Sequence, residues 1–431
     1  MNYTPDAWND MRTYLEQERP ETRLDGTLPS RVTSADVKLA YDQENDAIVP
    51  FIVGDVNANP EGIAGLHDRW YDGALDSAAD AFLGNTDDPD EVAVSLPAAV
   101  YDGDAPSWLQ KGKEALYEAV DERVETTYKL RDGAPLEVNE EGELEVEGQS
   151  LDGYVNLNDT GEGLDNALGG DITAMSNGAN APSAAWNAYR PSTNKVGLLQ
   201  AAADLDDYTE VMFPGFTTVD TVDELAAYHE DTAKDVIFKV PNGTHGDQVV
   251  AIESDQDVYD RLREEVERVR DKGNRSDSFA LTDADGRFIT RDGTETQGLI
   301  EDAVAGVYEQ DDRHFEIFDF EEQPVDFVPL VVANEDNEPE TVSMTVRASY
   351  GTNLNANRGS HNFGLYSVDE AWNGDATVET DEGEEVFDLA EELATLADRP
   401  VEYEEVRTAM DDAGAAALAI RNLSAFRAER E

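Results

Sequence analysis

An excess of acidic residues is the feature that most limits what this chain can fold into. Its 431 residues include 96 Asp and Glu but only 31 Lys and Arg, so the formal net charge is −65. High net charge combined with low hydrophobicity is typical of disordered chains. Here, however, 40% of the residues are hydrophobic and the acidic residues are spread along the whole chain. This pattern favours a folded protein with an acidic surface.

A surface this acidic indicates adaptation to very high salt. At molar ionic strength the Debye length falls to about 3 Å, which screens the self-repulsion that would otherwise destabilise the fold. We therefore expect the source to be a halophilic archaeon or a virus that grows in one.

Composition also excludes several kinds of site and partner. The chain has no cysteine, which excludes disulfides, thiolate nucleophiles and zinc–thiolate sites. Without a basic stripe to neutralise phosphates, nucleic acid is not expected as a partner. The N-terminus resembles an acidic amphipathic helix rather than a signal peptide, and no run approaches the roughly 18 apolar residues of a membrane span. We expect a cytoplasmic protein with no membrane partner.

Helix and strand patterns mix along the chain without strict alternation, which predicts an α+β fold. The length predicts about two to three domains. Near the N-terminus, strands are expected at DVKLAYD and IVPFIVGDVN. A stretch rich in Gly, Asn, Ser and Pro over residues 159–194 is expected to be a loop or a domain boundary. A regular pattern then continues from Asn194 to a long final helix.

The segment FKVPNGTHGDQVV is a candidate phosphate-binding element. Lys239 lies on a predicted strand, and Gly243 and Gly246 lie in the loop that follows. Glycines let backbone N–H groups approach phosphate oxygens, and the lysine adds a compact positive charge. The segment lacks the Gly-Lys-Ser/Thr of a Walker loop. A plain hairpin with a solvent-reaching lysine would give the same pattern, so both interpretations stay open.

Asp42, Asp55 and Asn57 form a candidate magnesium site. Asp42 ends the first predicted strand, and Asp55 and Asn57 alternate on one face of the second. Neighbouring strands joined by a short turn would bring the three oxygens together. Mg²⁺ prefers hard oxygen ligands and is usually held by one or two carboxylates and substrate phosphates. In a chain this acidic, the same pattern also arises by chance.

The segment TVRASYGTNLNANRGSHN combines a strand with a polar loop. Strand alternation places Val342, Met344 and Val346 on one face and Ser343, Thr345 and Arg347 on the other. Arg347 could then stabilise charge on a transferred phosphoryl group. The loop supplies further hydrogen-bonding groups, among them Asn355 and Arg358. Ordinary turn chemistry explains Asn- and Gly-rich loops equally well.

Together these blocks resemble an ATP-grasp ligase. Lys195, Lys239 with PNGTHGD, and Arg347 with NLNANRGSHN follow one another in the order usual for that family. The magnesium block, DQENDAIVPFIVGDVNANPEG, stands at the N-terminus instead of the C-terminus, and Asp55 replaces the usual Glu. A circular permutation, as in glutathione-synthetase-like relatives, accounts for this order, because chain termini are often close in space.

The resemblance implies ATP and Mg²⁺ as cofactors and assigns roles to the candidate residues. It implies nucleotide binding by Lys195, Lys239, Gly243, Gly246 and either Glu316 or Glu321, magnesium binding by Asp42, Asp55 and Asn57, and catalysis by Arg347, Asn355 and Arg358. The implied fold has two lobes around a nucleotide cleft. Residues 1–65 with 340–431 would form the large lobe, residues 191–339 the small lobe, and residues 66–190 an additional α/β insert or substrate-binding domain.

The implied reaction is ATP-dependent amide or peptide bond formation between a small carboxylate and an amine, through an acyl phosphate. Two alternatives remain: a structural or virion component of a halophilic virus, and a degenerate ATP-grasp fold that binds nucleotide without turnover. A homo-oligomeric assembly is also open.

Overall fold

The structure is a computed structural model that describes most of the chain. The described residues are 6–19, 28, 30–57, 63, 65–66, 73–83, 90–103, 108–131, 136–138, 144–157, 195–232, 234–240, 249–271, 281–289, 295–310, 313–320, 323–348, 364–380 and 383–428.

Helices and strands are mixed along the described residues, which confirms the α+β prediction. The helices are α1 (Asp6–Glu18), α2 (Ala74–Leu83), α3 (Ala98–Tyr101), α4 (Trp108–Asp121), α5 (Lys195–Leu205), α6 (Val222–Thr232), α7 (Val258–Asp271), α8 (Val368–Trp372), α9 (Leu389–Ala397) and α10 (Tyr403–Ala428). The strands are β1 (Val32–Asp42), β2 (Ala47–Asn57), β3 (Glu91–Leu96), β4 (Thr126–Arg131), β5 (Glu137–Val138), β6 (Leu144–Val146), β7 (Gln149–Ser150), β8 (Gly153–Asn156), β9 (Phe216–Val219), β10 (Val236–Lys239), β11 (Val249–Ile252), β12 (Gly298–Asp302), β13 (Val307–Gln310), β14 (Arg313–Ile317), β15 (Asp319–Phe320), β16 (Gln323–Ala333), β17 (Pro339–Ala348), β18 (Gly364–Ser367), β19 (Ala376–Thr380) and β20 (Gly383–Phe387).

An eight-stranded antiparallel sheet forms the centre of the molecule and draws on both ends of the chain. Its main path is β13-β14-β1-β16-β17-β18, with β2 paired to β1 and β15 to β16. Strand β1 pairs with β16, for example Val32 with Val332. The C-terminal helix is tied to the same region, because the Asn422 side chain exchanges hydrogen bonds of 2.9 and 3.0 Å with the backbone of Ser30.

Helix α10 packs on one face of this sheet and is itself covered by α1 and α5. Every residue from Ala413 to Phe426 is buried. Most of this stretch is apolar, and a helix that is buried on all sides needs other elements around it, which this position between the sheet and two helices supplies. None of the helices in the described ranges is long and apolar enough to cross a membrane.

A bulge in β17 changes which residues face α10. The pairing with β16 shifts after Leu330, which is opposite Ser343, so that Val331 is opposite Thr341. Val342 therefore packs on the sheet face away from α10, whereas Met344 and Val346 pack on the α10 side. The expectation that these three valine and methionine side chains share one face was wrong, because an extra residue in a strand reverses the alternation.

Gly414 marks a close approach of α10 to β16. A Cβ atom at this position would lie 2.4 Å from Val331 Cγ2. Gly414→Ala gains about 1 kcal/mol of helix propensity, but overpacking against a stiff β-branched side chain costs about 1–3 kcal/mol. We expect Gly414→Ala to lower the melting temperature, and Gly414→Ala with Val331→Ala to melt no lower than Val331→Ala alone. A higher melting temperature for the single Gly414→Ala variant would contradict this packing.

Asp411 on α10 makes stability depend on pH. Asp411 is 8% exposed, and burial raises its pKa to about 6. A hydrogen bond to Thr341 and the attraction of Arg407 act in the opposite direction, but burial outweighs them. Between about pH 4 and 6 the folded state binds more protons here than the unfolded state, so this contribution to unfolding free energy falls as pH rises. Asp411→Asn removes this dependence. Its stability relative to the original protein should increase by on the order of 2 kcal/mol from pH 4 to pH 7 in urea titrations. Asp10→Asn, at an exposed site, is the control. A difference in unfolding free energy between Asp411→Asn and the original protein that stays constant with pH would contradict the account.

A small parallel sheet and its helices lie on the side of the large sheet that faces away from α10, with α2 in contact with β16 and β17. Its order is β4-β3-β8, and α2 and α4 pack on it. Val32, Leu330, Val332 and Val342 of the large sheet belong to the same apolar cluster as Val92 and Val94 of β3. This unit lies within the 66–190 segment for which an α/β insert was expected.

A four-stranded antiparallel sheet, in the order β11-β10-β12-β9, lies within the 191–339 segment. One face packs on α6 and α7. The chain enters it beside β2, where Met212 bonds to the backbones of Pro50 and Ile52. It leaves through Asp302, whose N–H donates to the Gly215 carbonyl at 2.8 Å. The four strands span only residues 216–302. Helix α5 and strands β13–β16, which also fall within 191–339, pack with the large sheet instead, so the range 191–339 is too wide for this unit.

Candidate functional site

A row of alternating charges crosses three strands on the large-sheet face away from α10. The row consists of Lys38 on β1, Asp326 on β16 and Arg347 on β17, and is called the charged row below. Lys38 Nζ lies 3.5 Å from Asp326 Oδ1, and Arg347 Nη2 donates to Asp326 Oδ2 at 2.9 Å. Asp36, two residues before Lys38, places Oδ1 3.1 Å from the same Arg347 nitrogen. Two cations and two carboxylates thus share one surface.

The charged row and Asp36 are deeply buried, with exposures between 2% and 7%. Removing charges from water is costly, and the attraction within a buried pair often fails to repay that cost in stability. For Asp326, burial alone would raise the pKa, but Lys38 and Arg347 outweigh it and hold the pKa below its usual value. The carboxylate therefore stays ionised, and the row is a fixed set of charges in a region of low dielectric.

Hydroxyl groups continue this surface towards the parallel sheet. Ser34, Ser343 and Thr345 are all fully buried on the same face. A Cβ atom on Gly65 would lie 2.9 Å from Ser343 Oγ and 3.2 Å from Thr345 Oγ1. The backbone at Gly65 therefore lies so close to these hydroxyl groups that only glycine fits at this position.

The four-stranded sheet carries a second buried ion pair. Lys239 Nζ on β10 lies 2.6 Å from Glu301 Oε2 on β12, and both side chains are at most 5% exposed. Alternation places this pair on the face opposite α6 and α7, since Phe238 and Ile300 pack with the helices. The predicted lysine is thus held in place on the side of the sheet that is not filled by its own helices.

The large sheet and the four-stranded sheet are joined where the chain crosses twice between them. Tyr308, just beyond β12, accepts a hydrogen bond from the Gly215 N–H at 3.3 Å and packs edge-on against Phe51 of β2. Burial raises the pKa of Tyr308 to about 12, with Asp302 nearby. A Cβ atom on Gly215 would lie only 3.0 Å from Asp302 Oδ2. The two crossings are therefore packed together and hold the small sheet against the hairpin end of the large one.

The same architecture occurs in a protein of known structure. No protein-family model matches the chain, and no curated protein sequence matches it. The chain is similar to the solved structure of a "Putative gamma-glutamylcysteine synthetase" from Methylobacillus flagellatus KT, with a TM-score of 0.52 and 14% sequence identity. The similarity covers 99% of this chain and 94% of that chain. The two proteins share a fold.

Asp42 does not lie with Asp55 and Asn57. Along the β1–β2 hairpin Asp42 is opposite Ala47, next to the turn, whereas Asn57 is opposite Ser34 at the far end. Eight strand residues separate the two positions, which is about 26 Å. The expectation that all three side chains bind one magnesium ion was therefore wrong, because the two strands pair along their full length.

Asp42 instead stabilises the turn of the hairpin. It forms an ion pair with Arg313 and accepts hydrogen bonds from Asn45 Nδ2 at 2.7 Å and from the Glu44 N–H at 3.0 Å. Burial would raise the pKa of Asp42, but these three hydrogen bonds outweigh it and lower the pKa. Both oxygens of this carboxylate thus have partners in or beside the turn.

Two further residues with predicted nucleotide roles lie away from the charged row. Lys195 begins α5, whose Leu198 and Ala202 pack in the α10 cluster, on the opposite face of the large sheet from Arg347. Glu316 lies on β14 and accepts a hydrogen bond from Gln43 of the hairpin turn. The nucleotide roles predicted for both residues stay predictions. Gly243, Gly246, Glu321, Asn355 and Arg358, and the side chains of Asp55 and Asn57, lie outside the described residues.

Sequence reasoning missed Asp36, Lys38, Asp326 and Glu301. A signal for them was present, because charged residues interrupt otherwise apolar strands in SADVKLAY and QPVDFVPLVV. Charged side chains are almost never fully buried unless they are paired. What the sequence does not contain is the pairing itself, since Lys38 and Asp326 are 288 positions apart along the chain.

Proposed function

We propose that this protein is an ATP-dependent carboxylate–amine ligase. The observation that carries the proposal is Arg347, a guanidinium fixed by two buried carboxylates on the large-sheet surface that faces away from α10. Buried charge arrays are poor stabilisers of a fold, whereas prearranged charges in a region of low dielectric are what phosphoryl transfer requires. The shared fold with the neighbouring structure supports the same conclusion.

In this proposal a carboxylate oxygen of the donor attacks the γ-phosphorus of ATP, and ADP leaves. The amine of the acceptor then attacks the acyl carbon, phosphate leaves, and the amine loses a proton. Lys239 binds the nucleotide phosphates from the small sheet, and Arg347 stabilises the charge on the transferring phosphoryl group. Asn355 and Arg358, in the segment that follows β17 in the sequence, assist at the same group, and Glu316 or Glu321 contacts the nucleotide.

The end of β2 is the proposed place for magnesium. The pairing of β2 with β1 is irregular between Ile52 and Val56, so that this stretch, which includes Asp55, lies beside Asp36. Asp55 and Asn57 offer the carboxylate and amide oxygens that Mg²⁺ accepts. When bound, the ion would neutralise phosphate charge. By residue type Asp55 and Asn57 fit this group, whereas Asp42 lies about 26 Å from Asn57 along the hairpin.

The name of the neighbouring structure suggests which substrates to test first. A gamma-glutamylcysteine synthetase joins the side-chain carboxylate of glutamate to the amine of cysteine. We propose a small amino-acid carboxylate as donor and an amino acid or polyamine as acceptor. Glutamate with cysteine is the first pair, and other amino acids and polyamines complete the panel.

The test is ADP release from the purified protein with ATP and Mg²⁺ in molar KCl, which suits its acidic surface. Donor and acceptor are supplied separately and together, and products are identified by mass spectrometry. We expect ADP and an amide product in equal amounts only when both substrates are present. ADP release that is indifferent to donor and acceptor, or no release with any pair, would contradict the ligase proposal.

A nucleotide-binding protein without turnover is the second candidate. The two carboxylates that hold Arg347 also repel an incoming phosphate, which would favour this reading. It predicts that ATP raises the melting temperature by mass action, while no pair in the panel yields ADP.

A further inference from the structure

A cavity of about 190 Å³ lies beside the N-terminal helix. It is lined by Trp8, Arg12, Leu15, Glu16, Arg19 and Leu28. Asn337, in the turn between β16 and β17, completes the wall. This turn is at the opposite end of β16 from Asp326, about 26 Å away at 3.3 Å per strand residue. The cavity is therefore separate from the proposed ligase site.

Two buried N–H donors in the cavity wall have no acceptor among the described residues. Trp8 is 1% exposed, and its indole Nε1 makes no hydrogen bond there. The Nε of Arg19 is also buried without an acceptor in the same part of the chain. Buried donors are nearly always hydrogen-bonded in folded proteins, since leaving one unmatched is unfavourable. The wall therefore offers two donors to a ligand that brings only acceptors.

The charge and shape of the wall narrow the class of ligand. Arg12 and Arg19 bring two positive charges, in a chain whose net charge is −65. Glu16 is half exposed and lies 3.5 Å from Arg12, so it offsets one of these charges, while Arg19 forms no ion pair with the residues that the structure describes. Leu15 and Leu28 add an apolar side. A cavity of about 150 Å³ already holds a benzene ring.

We propose that this cavity binds a small monocarboxylate with a compact apolar or aromatic body. A carboxylate is an acceptor only, so it matches the two donors of the wall without adding a donor of its own. Its oxygens accept from Trp8 Nε1 and from the Arg19 guanidinium, and its body lies against Leu15 and Leu28. Because α1 packs on α10, the ligand binds at the junction of the two ends of the chain.

Benzoate is the probe, and the indole N–H signals in a ¹⁵N-correlated NMR spectrum are the readout. The sequence has five tryptophans, so few signals are expected, and the one lost in Trp8→Phe belongs to Trp8. At constant ionic strength in KCl, benzoate should shift the Trp8 signal with saturation at millimolar concentration. Benzamide has the same shape without charge and should bind at least tenfold more weakly, since hydrogen bonds to charged groups are about twice as strong.

Arg19→Gln tests the charge and should weaken benzoate binding about tenfold, as expected for the loss of one charge-assisted hydrogen bond. Arg263→Gln makes the same charge change at an exposed site on α7 and should leave the affinity unchanged. A Trp8 signal that does not shift at benzoate concentrations up to 50-fold above the expected millimolar range would overturn the proposal. So would equal binding of benzamide, or an unaltered affinity in Arg19→Gln. Neither Arg19→Gln nor the benzamide comparison depends on the Trp8 variant folding.

Discussion

Arg347→Gln is expected to lower turnover by at least about a hundredfold at saturating ATP, because it removes one prearranged charge from the transferring phosphoryl group. Nucleotide affinity should change much less. The same substitution leaves Asp36 and Asp326 buried without their common partner, which costs about 3–5 kcal/mol of stability. Turnover, ATP affinity and the melting temperature should therefore be measured together on one preparation.

A second variant separates catalysis from folding. Arg347→Gln combined with Asp36→Asn removes one of the two carboxylates that lose the arginine and keeps the buried Lys38–Asp326 ion pair, so the melting temperature should recover in part. Turnover should stay low, since the positive charge is still missing. A double variant that regains both stability and full turnover would show that Arg347 acts only as a structural partner of the buried carboxylates.

Lys239→Met is expected to abolish most of the thermal stabilisation that ATP and Mg²⁺ give. A ligand present at a hundred times its Kd stabilises the folded state by about 2.7 kcal/mol, and losing the phosphate contact should remove most of it. Glu301 is left buried without its lysine, so Lys239→Met with Glu301→Gln should accompany the single variant. Melting curves with and without nucleotide, in molar KCl, provide the measurement.

Lys234→Met is the matched control for that experiment. Lys234 is half exposed just before β10 and pairs with Asp302 of β12 at 2.9 Å, away from the Lys239–Glu301 face. It should lose little of the ATP-dependent shift. An undiminished shift in Lys239→Met, or an equal loss in Lys234→Met, would contradict a specific phosphate contact at Lys239.

Local periodicity predicts much of this fold, but not the contacts that build the site. The apolar pattern of IVPFIVGDVN and of the final helix marks β2 and α10 directly, and both formed as expected. The bulge that turns Val342 away from Met344 depends on the partner strand, and no local pattern encodes it. Strand alternation predicts that Arg347 lies on the opposite face from Val346, but it does not predict that Asp36 and Asp326 bind the guanidinium.

The predicted magnesium site shows the same limit from another direction. Asp42 and Asp55 are close in sequence, and that closeness suggested a shared ion. A hairpin paired along its full length separates residues near its turn from residues near its open end, so spacing along the chain misleads. By contrast, Lys38 and Asp326 meet only because β1 and β16 become neighbours.

Oxygen transfer from substrate to phosphate tests the central claim most directly. The donor carboxylate from the substrate panel is labelled with ¹⁸O and incubated with acceptor, ATP and Mg²⁺ in molar KCl, and the released phosphate is analysed by mass spectrometry. Activation of the carboxylate by ATP predicts one ¹⁸O atom in each phosphate released, in step with ADP and amide formation. Phosphate that carries no label while ADP accumulates would show that water, not the carboxylate, receives the phosphoryl group, and would contradict the account.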